Sequence, residues 1–195
     1  MRLNSYLYLR FLAAALTMLS VCAGAVLDRV AIVIDKQVIT ESELLGDLRL
    51  TEFINGQPLD LGPLARRDAA EHLVDQELIR RDMESGGFAK PNAAQGDALL
   101  RKFRQEHYPA PAAYLAALQK YGVTEEQLKQ RLLWQLTAIE FTDLRFRPVQ
   151  QEEPSQSADR AVTDGAAGSV DQQMDAWLKQ ARSNAKIILK PEAFQ

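Results

Sequence analysis

The spacing of apolar positions divides this chain into a short β unit followed by a series of helices. From Val26 to Leu44 the sequence reads VLDRVAIVIDKQVITESEL. Val30, Ile32, Val33 and Ile34 make a β-branched run, Asp35-Lys36-Gln37 is a polar turn, and Val38-Ile39 is a second short strand that stops at Thr40. Thr40 and Glu43 have the T-x-x-E spacing of a capping box, in which the threonine oxygen accepts from a free helix amide and the glutamate reaches back to the cap's own N–H. A hairpin running straight into a helix over about 41–54 is therefore predicted. Asn55-Gly56-Gln57-Pro58 breaks the pattern, and Gly62-Pro63 opens a second helix carrying Ala70, Leu73, Val74 and Leu78 on one stripe. That helix ends at Gly86-Gly87, where glycine enters a left-handed cap without penalty. Pro91 opens a third helix, about 92–107, with Leu99, Leu100 and Phe103. After Pro109 and Pro111 a short fourth helix carries Tyr114, Leu115 and Leu118 and ends at Tyr121-Gly122. Thr124 and Gln127 make a second capping box at the head of the longest predicted helix, about 125–147. Its predicted face is Leu128, Leu132, Leu136 and Ile139, with Trp134, Phe141, Leu144 and Phe146 nearby.

Pro148 ends this series. Residues 149–169 are polar and rich in Pro, Gly, Ser and Ala, with too little apolar surface to offset chain entropy, and read as a flexible linker. Met174, Trp177, Leu178 and Ala181 then recur at helical spacing within 170–183, and Ala185 to Leu189 reads as a strand bounded by Pro191. A two-stranded hairpin is marginal alone and a third strand makes it viable. With Ile187 and Leu189 facing inward and Lys186 and Lys190 outward, the last strand fits that place. The expected fold is α+β and mainly helical: a small sheet from the N-terminal hairpin and the C-terminal strand, packed on helices, with 26–148 and 170–195 forming one domain.

Residues 1–25 read as a cleaved secretory signal. Arg2 and Arg10 lie in the n-region, Phe11 to Leu19 is the apolar core, and Ala23-Gly24-Ala25 supplies the small-x-small cleavage pattern. So short an apolar run cannot cross a bilayer core of roughly 30 Å as a helix. Export is expected, with no stable membrane insertion after cleavage. Cys22 is the only cysteine and leaves with the signal; bulky Val21 before it argues against lipidation. The remaining chain then has no disulfide, thiolate nucleophile or cysteine ligand. Cleavage removes two basic and no acidic residues, which takes the formal net charge from −3 to −5. That balance argues against nucleic acid or an anionic membrane as partner.

Catalytic signatures are sparse. The sequence holds no phosphate-binding loop, dinucleotide fingerprint or nucleophile elbow, and two histidines without cysteine make no credible zinc set. Neither a catalytic residue nor a metal or other cofactor is predicted. His72 reads as a helix residue and His107 as a helix C-terminal charge that suits the dipole. The basic doublets Arg66-Arg67 and Arg80-Arg81 alternate with acids and read as a solvated ion-pair face.

Asp28-Arg29-Val30-Ala31 and Val38-Ile39-Thr40-Glu41-Ser42-Glu43-Leu44 resemble the segment that follows the signal peptide in SurA-type periplasmic folding factors. Asp175-Ala176-Trp177-Leu178-Lys179 through Ile187-Ile188-Leu189 resembles the segment by which such chains return to complete their N-terminal chaperone domain. Members of that family are often fused to parvulin-type peptidyl-prolyl isomerase domains. Residues 149–169 are far too few for one, and neither histidine has a parvulin-like context. The resemblance implies an ATP-independent periplasmic chaperone that holds unfolded exported or outer-membrane polypeptides. A prolyl isomerase relative with residual or absent activity and an adaptor for one folded envelope protein are the alternatives. Binding many extended chains calls for an apolar, aromatic-lined surface. Phe53, Phe103, Tyr108, Tyr114 and Tyr121, near helix ends and loops, are the peptide-binding candidates.

Overall fold

A computed structural model describes residues 28–88, 92–146 and 161–195. The expected signal segment, Cys22 and most of the expected linker lie outside the described residues. The chain order is β1 (Val30–Ile34), β2 (Gln37–Thr40), α1 (Glu41–Asn55), α2 (Pro63–Ser85), α3 (Ala93–His107), α4 (Pro111–Tyr121), α5 (Glu125–Phe146), α6 (Ala161–Asn184) and β3 (Ile187–Leu189), closed by a 3₁₀ turn at Pro191–Phe194. The fold is mainly helical with one small antiparallel sheet, as the apolar pattern predicts.

β1 is the central strand, in the order β2-β1-β3. Asp35 turns the hairpin in the left-handed conformation (φ 55°), which aspartate tolerates better than most residues. Its carboxylate accepts from the Lys186 amide at 2.8 Å and from Arg81 at 2.7 Å, so one turn residue ties β1 to β3 and to α2. Hydrogen bonding to Lys186 and then to Arg81 holds the Asp35 carboxyl below its ordinary range. The β1–β3 register pairs Ile32 with Leu189 and Ile34 with Ile187, placing both terminal-strand aliphatics against the core. Thr40 and Glu43 form the expected capping box and launch α1 without a loop. Asp28 adds a second tether by accepting from the Ser42 amide at 3.2 Å.

The first core lies between the sheet, α1, α2, α6 and the 3₁₀ turn. Ile32, Ile34, Leu44, Ala70, Val74 and Phe194 fill it, with Trp177 packed at its margin. A second core gathers the far end of α1 with α3, α4 and the start of α5. Gly96 lets α3 approach α5 closely, since a Cβ there would lie 3.0 Å from Lys129 Cγ. Asn92 and Gln95 form a capping box for α3 that the sequence reading overlooked.

Several expectations need correction. α6 begins at Ala161, so the end of the expected 149–169 linker is helical; residues 149–160 are not described. α5 is shorter than α2 and α6, and its inward seam runs through Leu128, Leu133, Thr137 and Phe141, leaving Ile139 exposed. The hydroxyl of buried Thr137 bonds back to the Leu133 carbonyl, so a polar residue serves in the seam. The end of α2 is as expected: the Gly86-Gly87 pair closes it, with Gly87 taking the positive φ. The basic doublets are only partly solvated: Arg66 reaches Leu61 O, Glu41 and Ala193 O, while Arg81 pairs with buried Glu77 and donates to Ile34 O. Arg81 thus locks α2 onto the hairpin, and Arg66 ties it to α1 and the 3₁₀ turn.

Candidate polypeptide-binding surface

All five aromatic candidates converge, but in a core. Phe53, in the last turn of α1, lies 5.9 Å from Phe103, stacks on Tyr108 at 5.6 Å and meets Tyr121 edge-on at 5.6 Å. Tyr108 in turn lies 5.5 Å from Tyr114. Phe53 and Tyr114 are 1% exposed, Phe103 6% and Tyr121 8%. α3 and α4 wrap the end of α1, so residues near their helix ends point inward and bury their rings against one another. Four of the five candidates are therefore packing residues, and Tyr108 alone is half-exposed. Tyr121 donates its hydroxyl to Gln57 O at 2.6 Å. The Tyr114 hydroxyl is buried without a partner; burial first, and the nearby Glu125 carboxylate second, push its pKa up to about 12. Burial also pushes the Tyr108 phenol up.

An open groove with a partly apolar lining lies elsewhere. α1, α2 and α5 enclose an open groove of about 630 Å³ whose apolar lining is Leu50, Leu73 and Trp134. The guanidinium of Arg80 sits 5.3 Å over the Trp134 ring. Gln76 and Gln130 place amides along the same groove, able both to donate to and accept from an extended backbone. Arg131 closes one side: it is ion-paired with Asp47 and donates to Gln76 Oε1 at 3.1 Å and Thr51 Oγ1 at 3.0 Å. In the sequence Trp134 stands beside the α5 stripe, and nothing there marks the glutamines. What could have marked them is a tryptophan standing off the inward face of a helix.

Two smaller hollows have separate linings. One, of about 450 Å³, lies at the α3–α4 junction against Arg101, Arg104, Gln105, Tyr108, Pro109 and Pro111. The other, of about 410 Å³, lies where α2 ends on α5, against Phe88, Phe141 and Leu144, the last 70% exposed. Of the two histidines, His72 is exposed on α2, and His107 is exposed with its ring 4.5 Å from that of Phe103. Among the described residues no cluster of His, Cys, Asp and Glu is placed to hold a metal, and no helix is long and apolar enough to cross a membrane. No protein-family model matches the chain, and no curated protein matches it in sequence.

Proposed function

We propose that this protein is an ATP-independent periplasmic chaperone of the SurA type, lacking the isomerase, which holds unfolded exported or outer-membrane polypeptides. The observation that carries the reading is the open α1/α2/α5 groove, where half-buried Leu73 and Trp134, over buried Leu50, offer apolar contact beside glutamine amides. Such a lining suits extended chain of many sequences, because the apolar floor is not stereospecific and the amides match any backbone. The three-stranded sheet closed by a distant strand agrees with what the family resemblance implies. Holding needs no nucleotide, only higher affinity for exposed chain than for folded protein.

The test is light scattering from an unfolded outer-membrane barrel diluted into buffer, with and without the protein. Suppression without nucleotide is expected, and Trp134→Ala should weaken it several-fold while the circular dichroism spectrum is retained. A folded protein that leaves aggregation unchanged at several-fold molar excess sinks the reading and favours an adaptor for one folded partner. In a proline-limited refolding assay no acceleration is expected. The uncatalysed step takes tens to hundreds of seconds, so even weak catalysis would register.

A further inference from the structure

The hollow at the α3–α4 junction has a chemistry unlike that of the larger groove. Arg101, Arg104, Gln105 and Tyr108 stand at i, i+3, i+4 and i+7, so one face of α3 and its C-cap presents all four. Pro109 and Pro111 complete the lining with apolar rings that carry no N–H. Arg104 is held in place, 3.2 Å from Glu125 and with its guanidinium 4.8 Å over the Tyr114 ring. Lys102, next along the helix, pairs with Glu106. Arg101 has no hydrogen-bond or ion-pair partner among the described residues, in a chain of net charge −3. It is a guanidinium left without a counter-charge beside a ring. The Tyr108 ring is already fixed by stacking on Phe53, so offering its exposed part to a ligand costs little further side-chain entropy.

We propose that this hollow binds an extended polypeptide segment in which an aspartate or glutamate stands next to an aromatic residue. Arg101 takes the carboxylate in a forked, charge-assisted pair, and the neighbouring ring packs against Tyr108 and the two prolines. Gln105 is placed to bond the segment's backbone. A phosphodiester chain fits poorly, because such binding draws on several free cations and here only Arg101 is unneutralised. The inference rests on the polypeptide-binding reading above and adds a client class to it: acidic–aromatic segments, gripped apart from the main groove.

The test uses end-blocked eight-residue peptides with a central Glu-Tyr, Gln-Tyr or Glu-Ala pair in a Gly/Ser background, titrated into ¹⁵N-labelled protein at low salt. The Glu-Tyr peptide should shift amide resonances within 101–111 and bind at least about fivefold more tightly than the other two, and Arg101→Gln should abolish that advantage. Equal binding of the Glu and Gln peptides, shifts confined to other surfaces, or an advantage that survives Arg101→Gln each overturns the proposal. Arg101→Gln leaves the α1/α2/α5 groove intact, so suppression of aggregation of a client without acidic–aromatic pairs should match that of the wild type. The two readings therefore fail separately: absent suppression in the wild type counts against the chaperone, absent peptide discrimination against this site.

Discussion

Tyr114 illustrates how far a single residue can be read from sequence. Its place near a helix start made it a peptide-binding candidate, yet its ring is buried in the second core against Tyr108, with Arg104 over it, and its hydroxyl makes no hydrogen bond. A buried unsatisfied hydroxyl costs stability, so Tyr114→Phe is expected to raise the unfolding free energy by about 1 kcal/mol near neutral pH. The same residue sets an alkaline limit. With a folded-state pKa of about 12 against roughly 10 when unfolded, the neutral phenol favours the fold fully below about pH 10, and that contribution is lost as pH rises through 12. Urea midpoints measured from pH 8 to 12 should fall less steeply for Tyr114→Phe than for wild type; parallel slopes would mean that Tyr114 is not the group responsible. Thr40 and Thr124 were legible because a capping box is written within four residues. Asp35, Arg66 and Arg81 were not, since their partners lie far along the chain.

At the scale of elements, sequence periodicity located every α-helix in the described residues and all three strands, but not the closing 3₁₀ turn. It failed where long-range packing decides which face turns inward. On α5 the leucine stripe pointed to Leu132, Leu136 and Ile139, but the neighbours of α5 select the seam through Leu133 and Phe141. α6 starts earlier than its apolar content suggests, and composition alone could not show that. The C-terminal strand was recognisable from Ile187 and Leu189 alternating with lysines, together with the hairpin's need for a third partner. The residues after it bury more than that pattern foretold. Phe194 is buried in the first core, and Arg66 bonds the Ala193 carbonyl at 3.1 Å. Phe194→Ala should therefore cost about 3 kcal/mol, as large-to-small changes in a core do. Removing 185–195 should cost more and lower the melting temperature of the whole domain. An unchanged midpoint after that truncation would show the C-terminal strand to be dispensable.

Over the whole molecule, α1 is the shared member of two cores, with Leu44 and Leu48 in the first and Leu50 and Phe53 in the second. Arg131 secures that arrangement from α5, its side chain 12% exposed against 10% for Asp47. Breaking such a pair strands a charge, so Arg131→Ala should destabilise by about 3 kcal/mol, whereas the double change Asp47→Leu with Arg131→Met should recover most of the loss. Denaturant melts of the two variants beside wild type decide this; an Arg131→Ala variant as stable as wild type would reduce the clamp to an ornament of the groove wall. The sheet has a different kind of consequence. β1 sits between a strand that follows it immediately and one supplied by residues 187–189. A chain delivered vectorially, N-terminus first, presents β1 with one side unpaired and the apolar surface behind it uncovered until that last strand and Phe194 have emerged. Throughout its own delivery the protein is thus the kind of substrate it is proposed to hold, and the proposed role begins only after its own release.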